Sequence, residues 1–161
     1  MQLCLIRHAI AVERDEFEGL DARRPLTADG RRRMREAATG LGTLFRPELI
    51  LTSPLLRAQQ TAEIVAKACD APIRVLDALG TGEHREVLAE CAGLGKSQVA
   101  LVGHEPWMGE LLSLILTGSE RGMLVVFKKG AAALVDVESP GRGLGHLEWM
   151  LQPGTLRALG G

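Results

Sequence analysis

The stretch QLCLIRHA, residues 2–9, places an uninterrupted apolar run directly before an arginine and a histidine. An apolar run of this length is typical of a strand that is buried on both faces of a sheet. After this first run, Gln2–Ile6, three others have the same character: Leu49–Leu51, Ile73–Leu76 and Val99–Val102. Because helical patterns separate these runs, the sequence predicts a mainly parallel sheet with right-handed helical crossovers.

Four helices are predicted from apolar spacing and from capping residues. Thr27 is a suitable N-cap for the first helix, whose buried stripe is expected to contain Met34, Ala37, Ala38, Leu41, Leu44 and Phe45. The other three are expected to begin at Ser53-Pro54, at Glu83 and at Pro106.

The pattern changes after Gly118. Leu124–Phe127, a turn at Lys129-Gly130 and Ala131–Val137 are typical of a β-hairpin, and His146–Leu151 is typical of a last strand. The GRGLG stretch, residues 141–145, lacks the preceding strand and the following helix of a phosphate-binding turn, so we interpret it as a loop. The prediction is a single α/β domain, residues 1–161, built as a three-layer sandwich with a mainly parallel sheet and an antiparallel hairpin in its C-terminal part.

Composition excludes several classes of protein. With 46% hydrophobic and 24% charged residues, the 161-residue chain is neither disordered nor fibrous. A net charge of −1 argues against a nucleic-acid partner, and no apolar stretch is long enough to span a membrane. The N-terminus does not have the pattern of a signal peptide, and Cys4, Cys69 and Cys91 are interpreted as reduced core thiols of a cytoplasmic protein.

Arginine and histidine side chains follow three of the predicted strands. Arg7 and His8 come directly after the first strand, Arg57 lies in the first turn of the helix after the second, and His104 follows the fourth. Ligands of open α/β sheets bind at the carboxyl ends of parallel strands, where these residues are expected to meet. A cluster of two arginines and two histidines repels itself unless an anion lies inside it.

Such a cluster is suited to phosphoryl transfer. Guanidinium groups bind phosphate oxygens bidentately, and the helix N-termini near Ser53-Pro54 and Pro106 add N–H donors. The sequence has neither a Walker motif nor an acidic metal cluster, so side chains rather than a metal ion are expected to meet the charge, and no cofactor is expected. A neutral imidazole can attack phosphorus itself if its second nitrogen donates to a backbone carbonyl.

Four motifs resemble those of a known family: LIRHA (residues 5–9), RRPLTADG (Arg23–Gly30), LTSPLLRAQQTAE (Leu51–Glu63) and LVGHEPWM (Leu101–Met108). In this order they resemble the histidine phosphatase superfamily, and within it the short SixA-like branch of bacterial phosphohistidine phosphatases. The resemblance implies that His8 becomes phosphorylated and that Arg7, Arg57 and His104 surround the phosphate.

The chain also departs from the larger relatives. Ala9 follows the histidine where those relatives have glycine, and Arg14 stands where mutase-like members have asparagine. Mutase-like members also insert a helical lid, whereas only 47 positions separate Arg57 from His104 here. The predicted domain therefore has no lid insertion, and its site is expected to be open and shallow. An open site favours a phosphate displayed on another protein over a small sugar phosphate that needs enclosure.

The general acid is less well defined by the resemblance. Glu83 lies roughly where mutase-like relatives have an acidic residue, and Glu105 follows His104 as an aspartate does in acid phosphatases. Either carboxylate could instead stabilise only a helix N-terminus. Phosphohistidine needs less acid catalysis than an ester, because its P–N bond breaks readily once the ring is protonated.

Several functions are compatible with these residues. The preferred one is a metal-independent phosphatase with a phosphohistidine enzyme intermediate, acting on a phosphohistidine-bearing protein. A phosphomonoesterase for a small metabolite and a non-catalytic phosphate-binding module remain alternatives. A metal site on His8 and His104 lacks a third ligand at a fitting position.

Overall fold

The computed structural model describes residues 1–141 and 145–161, and its centre is a six-stranded mixed sheet. Its strands are β1 (Gln2–Arg7), β2 (Leu49–Thr52), β3 (Ile73–Val75), β4 (Gln98–Gly103), β5 (Ala132–Val137) and β6 (Gly145–Leu151). In space they follow the order β3-β2-β4-β1-β5-β6. The first four run parallel, whereas β5 is antiparallel to both of its neighbours. This topology confirms the predicted α/β sheet with antiparallel strands in its C-terminal part.

Helices cover both faces of the sheet. They are α1 (Ala28–Leu44), α2 (Leu56–Cys69), α3 (Ala78–Thr81), α4 (His84–Gly93), α5 (Trp107–Thr117) and α6 (Pro153–Leu159). Side chains alternate across β1: Leu3 and Leu5 join the core beneath α3, α4 and α5, whereas Cys4 and Ile6 join the core beneath α1, α2 and α6. The sheet thus lies between two layers of helices, with one core on each of its faces. These are the three layers that the sequence predicts.

The first helix begins where the sequence predicts. The Thr27 side chain accepts a hydrogen bond from the Gly30 N–H at 2.9 Å, as an N-cap does. Gly30 lets the helix approach the loop after β1, because a Cβ there would lie 2.1 Å from the carbonyl oxygen of Ile10. One member of the predicted stripe is wrong: Leu44 is 43% exposed, since the helix ends there and Phe45 takes the buried position.

The C-terminal part differs from the predicted hairpin. Leu124–Phe127 has no regular secondary structure and lies outside the sheet, because the backbone groups of Phe127 bind the side chains of Arg7 and Glu105 instead of another strand. The antiparallel pair is instead β5 with β6, followed by α6, a short helix that the sequence reading missed. In the GRGLG loop, residues 142–144 lie outside the described residues, so its interpretation stays a prediction.

The third strand is also shorter and less buried than predicted. It ends at Val75, and all three of its residues are exposed. The reason is its place at the edge of the sheet, where it pairs only with β2. Arg74, inside this run, is exposed and pairs with Glu90, as suits a strand at the edge of the sheet.

All three cysteines are buried and carry free thiols, as predicted. Burial raises the pKa of each thiol, that of Cys91 to about 12. Among the described residues, no helix is both long enough and apolar enough to cross a membrane.

Candidate active site

The register of the sheet brings the predicted site residues to one edge. Arg7 ends β1 and pairs with Gly103, which ends β4, so His8 and His104 follow adjacent strands. Arg57, the second residue of α2, follows β2 on the other side of β4. The ring centroids of His8 and His104 lie 5.2 Å apart. The structure thus places all four predicted residues at the carboxyl ends of the parallel strands.

His8 has the hydrogen bonding expected of a nitrogen nucleophile. Its Nδ1 donates to the carbonyl oxygen of Ala9 at 2.7 Å, and the Ala9 N–H donates to Thr61 Oγ1 at 3.0 Å. Burial is the main cause that lowers the pKa of His8 to about 3, and the neighbouring cations act in the same direction. The imidazole is therefore neutral at pH 7, with its proton on Nδ1 and a lone pair on Nε2.

His104 is positioned by a residue that the sequence reading assigned to another role. Ser53 was predicted to cap a helix, but α2 begins at Leu56 and the Ser53 hydroxyl lies 2.7 Å from His104 Nε2. Ser53 Oγ also accepts from the Leu55 N–H at 3.3 Å, so its own hydrogen is suited to donate to the ring. Burial, followed by the charge of Arg57, lowers the pKa of His104 to about 4.

Arg57 is held by an aspartate that the sequence reading missed. Its two terminal nitrogens donate to the carbonyl oxygen of Asp21 at 2.9 Å and to the Asp21 carboxylate at 3.0 Å. Arg24 donates to the same carboxylate from Nε at 2.9 Å. Desolvation raises the pKa of Asp21, but the hydrogen bond from Arg24 and the charges of both arginines outweigh it, and the pKa lies below its ordinary value. Asp21 is therefore ionised and partly neutralises the cluster.

Arg7 is held by Phe127, which lies in a segment without regular secondary structure. One of its terminal nitrogens donates to the carbonyl oxygen of Phe127. The Phe127 N–H donates in turn to the carboxylate of Glu105 at 2.8 Å. A residue far away in sequence thus orients the arginine next to His8, through backbone groups that no side-chain motif reveals.

Three buried nitrogen atoms of this cluster have no hydrogen-bond partner in the part of the chain that the structure describes: Arg7 Nε, Arg57 Nε and His104 Nδ1. A buried polar group without a partner costs about 1–3 kcal/mol, and such groups are few in folded proteins. Their occurrence on three of the four predicted site residues indicates a site that an acceptor-rich ligand would complete. Phosphate, with its oxygens and negative charge, is such a ligand.

The two helix N-termini that were predicted to face this edge are present. The N-cap positions of α2 and α5 are Leu55 and Pro106, and neither supplies a side-chain hydrogen bond to the helix. Their first N–H groups add positive potential beside Arg57 and His104, which follow the same strand ends.

The two candidate acids are in different environments. Both carboxylate oxygens of Glu105 accept from backbone N–H groups, those of Phe127 at 2.8 Å and Gly109 at 3.3 Å. This arrangement suits a carboxylate that holds two loops together better than one that donates a proton. Glu83 is exposed at the start of α4, next to Gly82, which packs against the Trp107 ring. Trp107 contacts His104 edge-on at 6.1 Å between ring centroids, so Glu83 lies near the rim of the cluster.

Comparison with known proteins agrees with this geometry. A model of the histidine phosphatase superfamily (branch 1) matches residues 3–81. The phosphohistidine phosphatase SixA of Escherichia coli K12 is 30% identical over 164 residues, which cover 98% of this chain and 97% of that protein. This chain belongs to the histidine phosphatase superfamily. Membership confirms the predicted phosphatase class.

Two further relatives of this histidine phosphatase cover most of its length. An uncharacterized protein of Picosynechococcus sp. PCC 7002 is 37% identical over 140 residues, 83% of this chain and 84% of that protein. The structure of the protein histidine phosphatase SixA complexed with tungstate superimposes with a TM-score of 0.81 at 28% identity. That match covers 97% of this chain and 99% of the other, and it confirms the predicted SixA-like branch.

Proposed function

We propose that this histidine phosphatase removes the phosphoryl group from phosphohistidine on a protein, without a metal ion, through a covalent phosphohistidine on His8. The observation that carries the proposal is the state of the His8 ring. It is neutral, its proton is engaged by the Ala9 carbonyl, and its Nε2 lone pair lies among two guanidinium groups and a second imidazole. This is the arrangement of a nucleophile beside groups that attract a phosphoryl anion.

The first step is an exchange between two imidazoles. His8 Nε2 forms a bond to phosphorus while the bond from phosphorus to the substrate's ring nitrogen breaks. When the substrate ring carries a proton on its other nitrogen, it leaves as neutral imidazole, and His8, protonated at Nδ1, takes over the positive charge. No separate general acid is required. Water then attacks phosphorus, the bond to His8 breaks, and dihydrogen phosphate leaves a neutral His8.

Arg7, Arg57 and His104 are proposed to bind the phosphoryl oxygens. Donation from the Ser53 hydroxyl to His104 Nε2 leaves the ring hydrogen on Nδ1, which has no acceptor among the described residues. In this tautomer His104 is a neutral donor beside two cationic ones. Tungstate, the ligand of the SixA structure at 28% identity, is an oxyanion with tetrahedrally arranged oxygens like phosphate, and this supports an oxyanion site.

The choice of phosphohistidine as the substrate rests on two arguments. The E. coli relative at 30% identity is named a phosphohistidine phosphatase, and the exchange between imidazoles suits a site whose carboxylates are occupied or exposed. We further propose that residues 1–161 act as one domain without a lid insertion. A phosphohistidine on a folded surface can then approach directly.

The experiment is single-turnover labelling with a phosphohistidine protein in the presence of EDTA. Wild type is expected to acquire label that is lost in acid and kept in base, and His8→Ala is expected to acquire none while melting at the wild-type temperature. His146→Ala, on exposed edge strand β6, is the matched control and keeps its label.

Three other results would replace the proposal. Label that survives acid contradicts a phosphohistidine intermediate. Hydrolysis of sugar phosphates in preference to phosphohistidine favours the small-metabolite phosphomonoesterase. Binding of phosphate without turnover of any phosphate compound favours the non-catalytic module.

A further inference from the structure

The large apolar side chains that are most exposed among residues 1–141 and 145–161 are Leu124, Val126 and Leu20. Their exposed fractions are 98%, 73% and 70%, and no other large apolar side chain in this part of the chain exceeds 47%. Single exposed apolar residues are common on protein surfaces, but three with so little contact require an explanation when they share one location.

All three lie beside the candidate active site. Leu124 and Val126 precede Phe127, whose carbonyl oxygen accepts the hydrogen bond from Arg7, by three residues and by one. Leu20 directly precedes Asp21, which binds Arg57.

The sheet order separates these two groups of side chains. Arg7 ends β1 and Arg57 follows β2, with β4 between these strands and His104 at its end. The exposed apolar side chains therefore flank the phosphate cluster on two sides. We call Leu20, Leu124 and Val126 the apolar rim.

A groove lies next to Leu124, on one side of the apolar rim. It has a volume of about 270 Å³ and lies between the start of α5 and the segment before Phe127. Its lining is mainly apolar, with Pro106, Gly109, Met123 and Val125, and Glu105, Glu110, Glu120 and Arg121 are its charged members. Pro106 is two residues beyond His104, so the groove opens next to the phosphate cluster. It offers room for one apolar side chain of a partner that is already bound through its phosphoryl group.

We propose that the apolar rim is the docking surface for the protein that carries the phosphohistidine, which rests on the proposed function. Its occupant has apolar side chains around the phosphohistidine and a carboxylate that faces Lys128. Lys128 is exposed directly after Phe127 and has no ion pair within the described ranges. The phosphoryl group supplies the negative charge that fits the cluster, and the rim contacts the surface around it.

Charge argues against a second copy of this chain as the occupant. Two copies docked through the rim bring the Arg7 and Arg57 cations of both molecules toward each other, together with Lys128. Like charges across an interface oppose association, whereas a phosphorylated partner brings the opposite charge. A small phosphate compound without apolar groups gains nothing from these side chains.

The experiment compares two substrates that have the same leaving group: free phosphohistidine and a phosphotransfer domain phosphorylated on histidine with phosphoramidate. The variant is the double substitution Leu124→Ser with Val126→Ser. Its KM for the phosphorylated domain is expected to rise about tenfold, and its kcat/KM for free phosphohistidine is expected to stay within about twofold of wild type. Leu44→Ser, at the end of α1 where the chain turns into β2, is the matched control and leaves both values unchanged.

Each remaining outcome overturns the docking surface. An unchanged KM for the phosphorylated domain removes the rim from recognition. Equal losses on both substrates mean that the segment only orients Arg7. A wild-type dimer that the double variant converts to monomer makes the rim a self-interface. If wild type hydrolyses neither phosphohistidine substrate, the proposed function itself fails, and that result is visible before any variant is made.

Discussion

The carboxylate of Asp21 lies 3.0 Å from a terminal nitrogen of Arg57 and 2.9 Å from Nε of Arg24, so one acid accepts hydrogen bonds from two guanidinium groups. In the absence of phosphate, this acid offsets part of the positive charge of the site. It also fixes the plane of Arg57, whose other terminal nitrogen binds the Asp21 carbonyl oxygen. Asp21 is thus a positioning residue for the arginine that we propose to bind phosphate.

Replacement of Asp21 tests this role. Asp21→Ala removes one charge-assisted hydrogen bond to Arg57, and we expect kcat/KM for phosphohistidine to fall about tenfold. Asp29→Ala is the control, because Asp29 binds Arg32 and Arg33 on the exposed face of α1. Steady-state kinetics on both variants is the measurement. Similar losses in the two would show that overall charge, rather than the orientation of Arg57, is what matters.

Replacement of Arg57 tests the phosphate cluster itself. Arg57→Ala is expected to lower the rate by about 10²–10³, or about 3–4 kcal/mol, as the loss of one preorganised donor to a transition-state anion does. Arg57→Lys is expected to recover little, because a point charge cannot bind two oxygens as a guanidinium does. Arg33→Ala is the matched control on α1. The assignment of the cluster is wrong if Arg33→Ala costs as much as Arg57→Ala.

Ser53→Ala tests the tautomer of His104. The substitution leaves Nε2 of His104 without its partner at 2.7 Å, so we expect kcat to fall about tenfold with little change in KM. Ser113→Ala removes another buried hydroxyl, which lies in the second half of α5 and donates to the carbonyl oxygen of Ser119. It is expected to lower thermal stability without changing kcat of the folded protein. A wild-type kcat for Ser53→Ala would exclude an orienting role for Ser53.

Acid pH tests the neutral state of the two imidazoles. Their pKa values, about 3 for His8 and about 4 for His104, lie below the ordinary value of 6.5. Between about pH 6.5 and pH 4 the unfolded chain binds protons that the folded chain does not, so the free energy of unfolding falls as the pH falls. Each imidazole contributes a slope of up to about 1.4 kcal/mol per pH unit. Denaturant titrations of wild type and His8→Asn across this pH range measure the slope of the free energy of unfolding. Equal slopes in the two proteins would contradict the neutral state of His8.

The leaving group tests the two candidate acids. Glu83→Gln and Glu105→Gln are each expected to leave phosphohistidine hydrolysis within about threefold of wild type if neither donates a proton. A selective loss on nitrophenyl phosphate identifies the substituted residue as an acid for esters. For Glu105, whose oxygens bind two backbone N–H groups, we expect loss of stability instead. Equal kinetic losses on both substrates for Glu83→Gln would assign it a role in binding.

The sequence allowed the reacting groups to be located because each directly follows a buried strand. Arg7, His8 and His104 are placed by the local rule that parallel strands end together. Arg57 required only the first turn of the next helix. These are short-range relationships, and the motif resemblance names the same residues.

The groups that orient these residues were not predictable in the same way. Asp21 and Phe127 lie in loops without periodicity, and their contacts with Arg57 and Arg7 span 36 and 120 positions of the chain. Ser53 was noticed but misassigned, because a serine before proline is equally typical of a helix cap. The segment Leu124–Phe127 has a β-like composition, yet the N–H and carbonyl groups of Phe127 bind the side chains of Glu105 and Arg7 instead of another strand.

The burial of the three thiols has a consequence for the conditions under which the protein can work. Cys4 and Cys91 have no exposed surface, Cys69 has little, and all three pKa values are raised, so thiolate is scarce at pH 7. Oxidants and alkylating reagents attack thiolate rather than thiol. Imidazole rather than sulfur is proposed to carry the phosphoryl group. Peroxide at a concentration that inactivates a cysteine-dependent phosphatase should therefore leave the phosphatase activity of this protein unchanged.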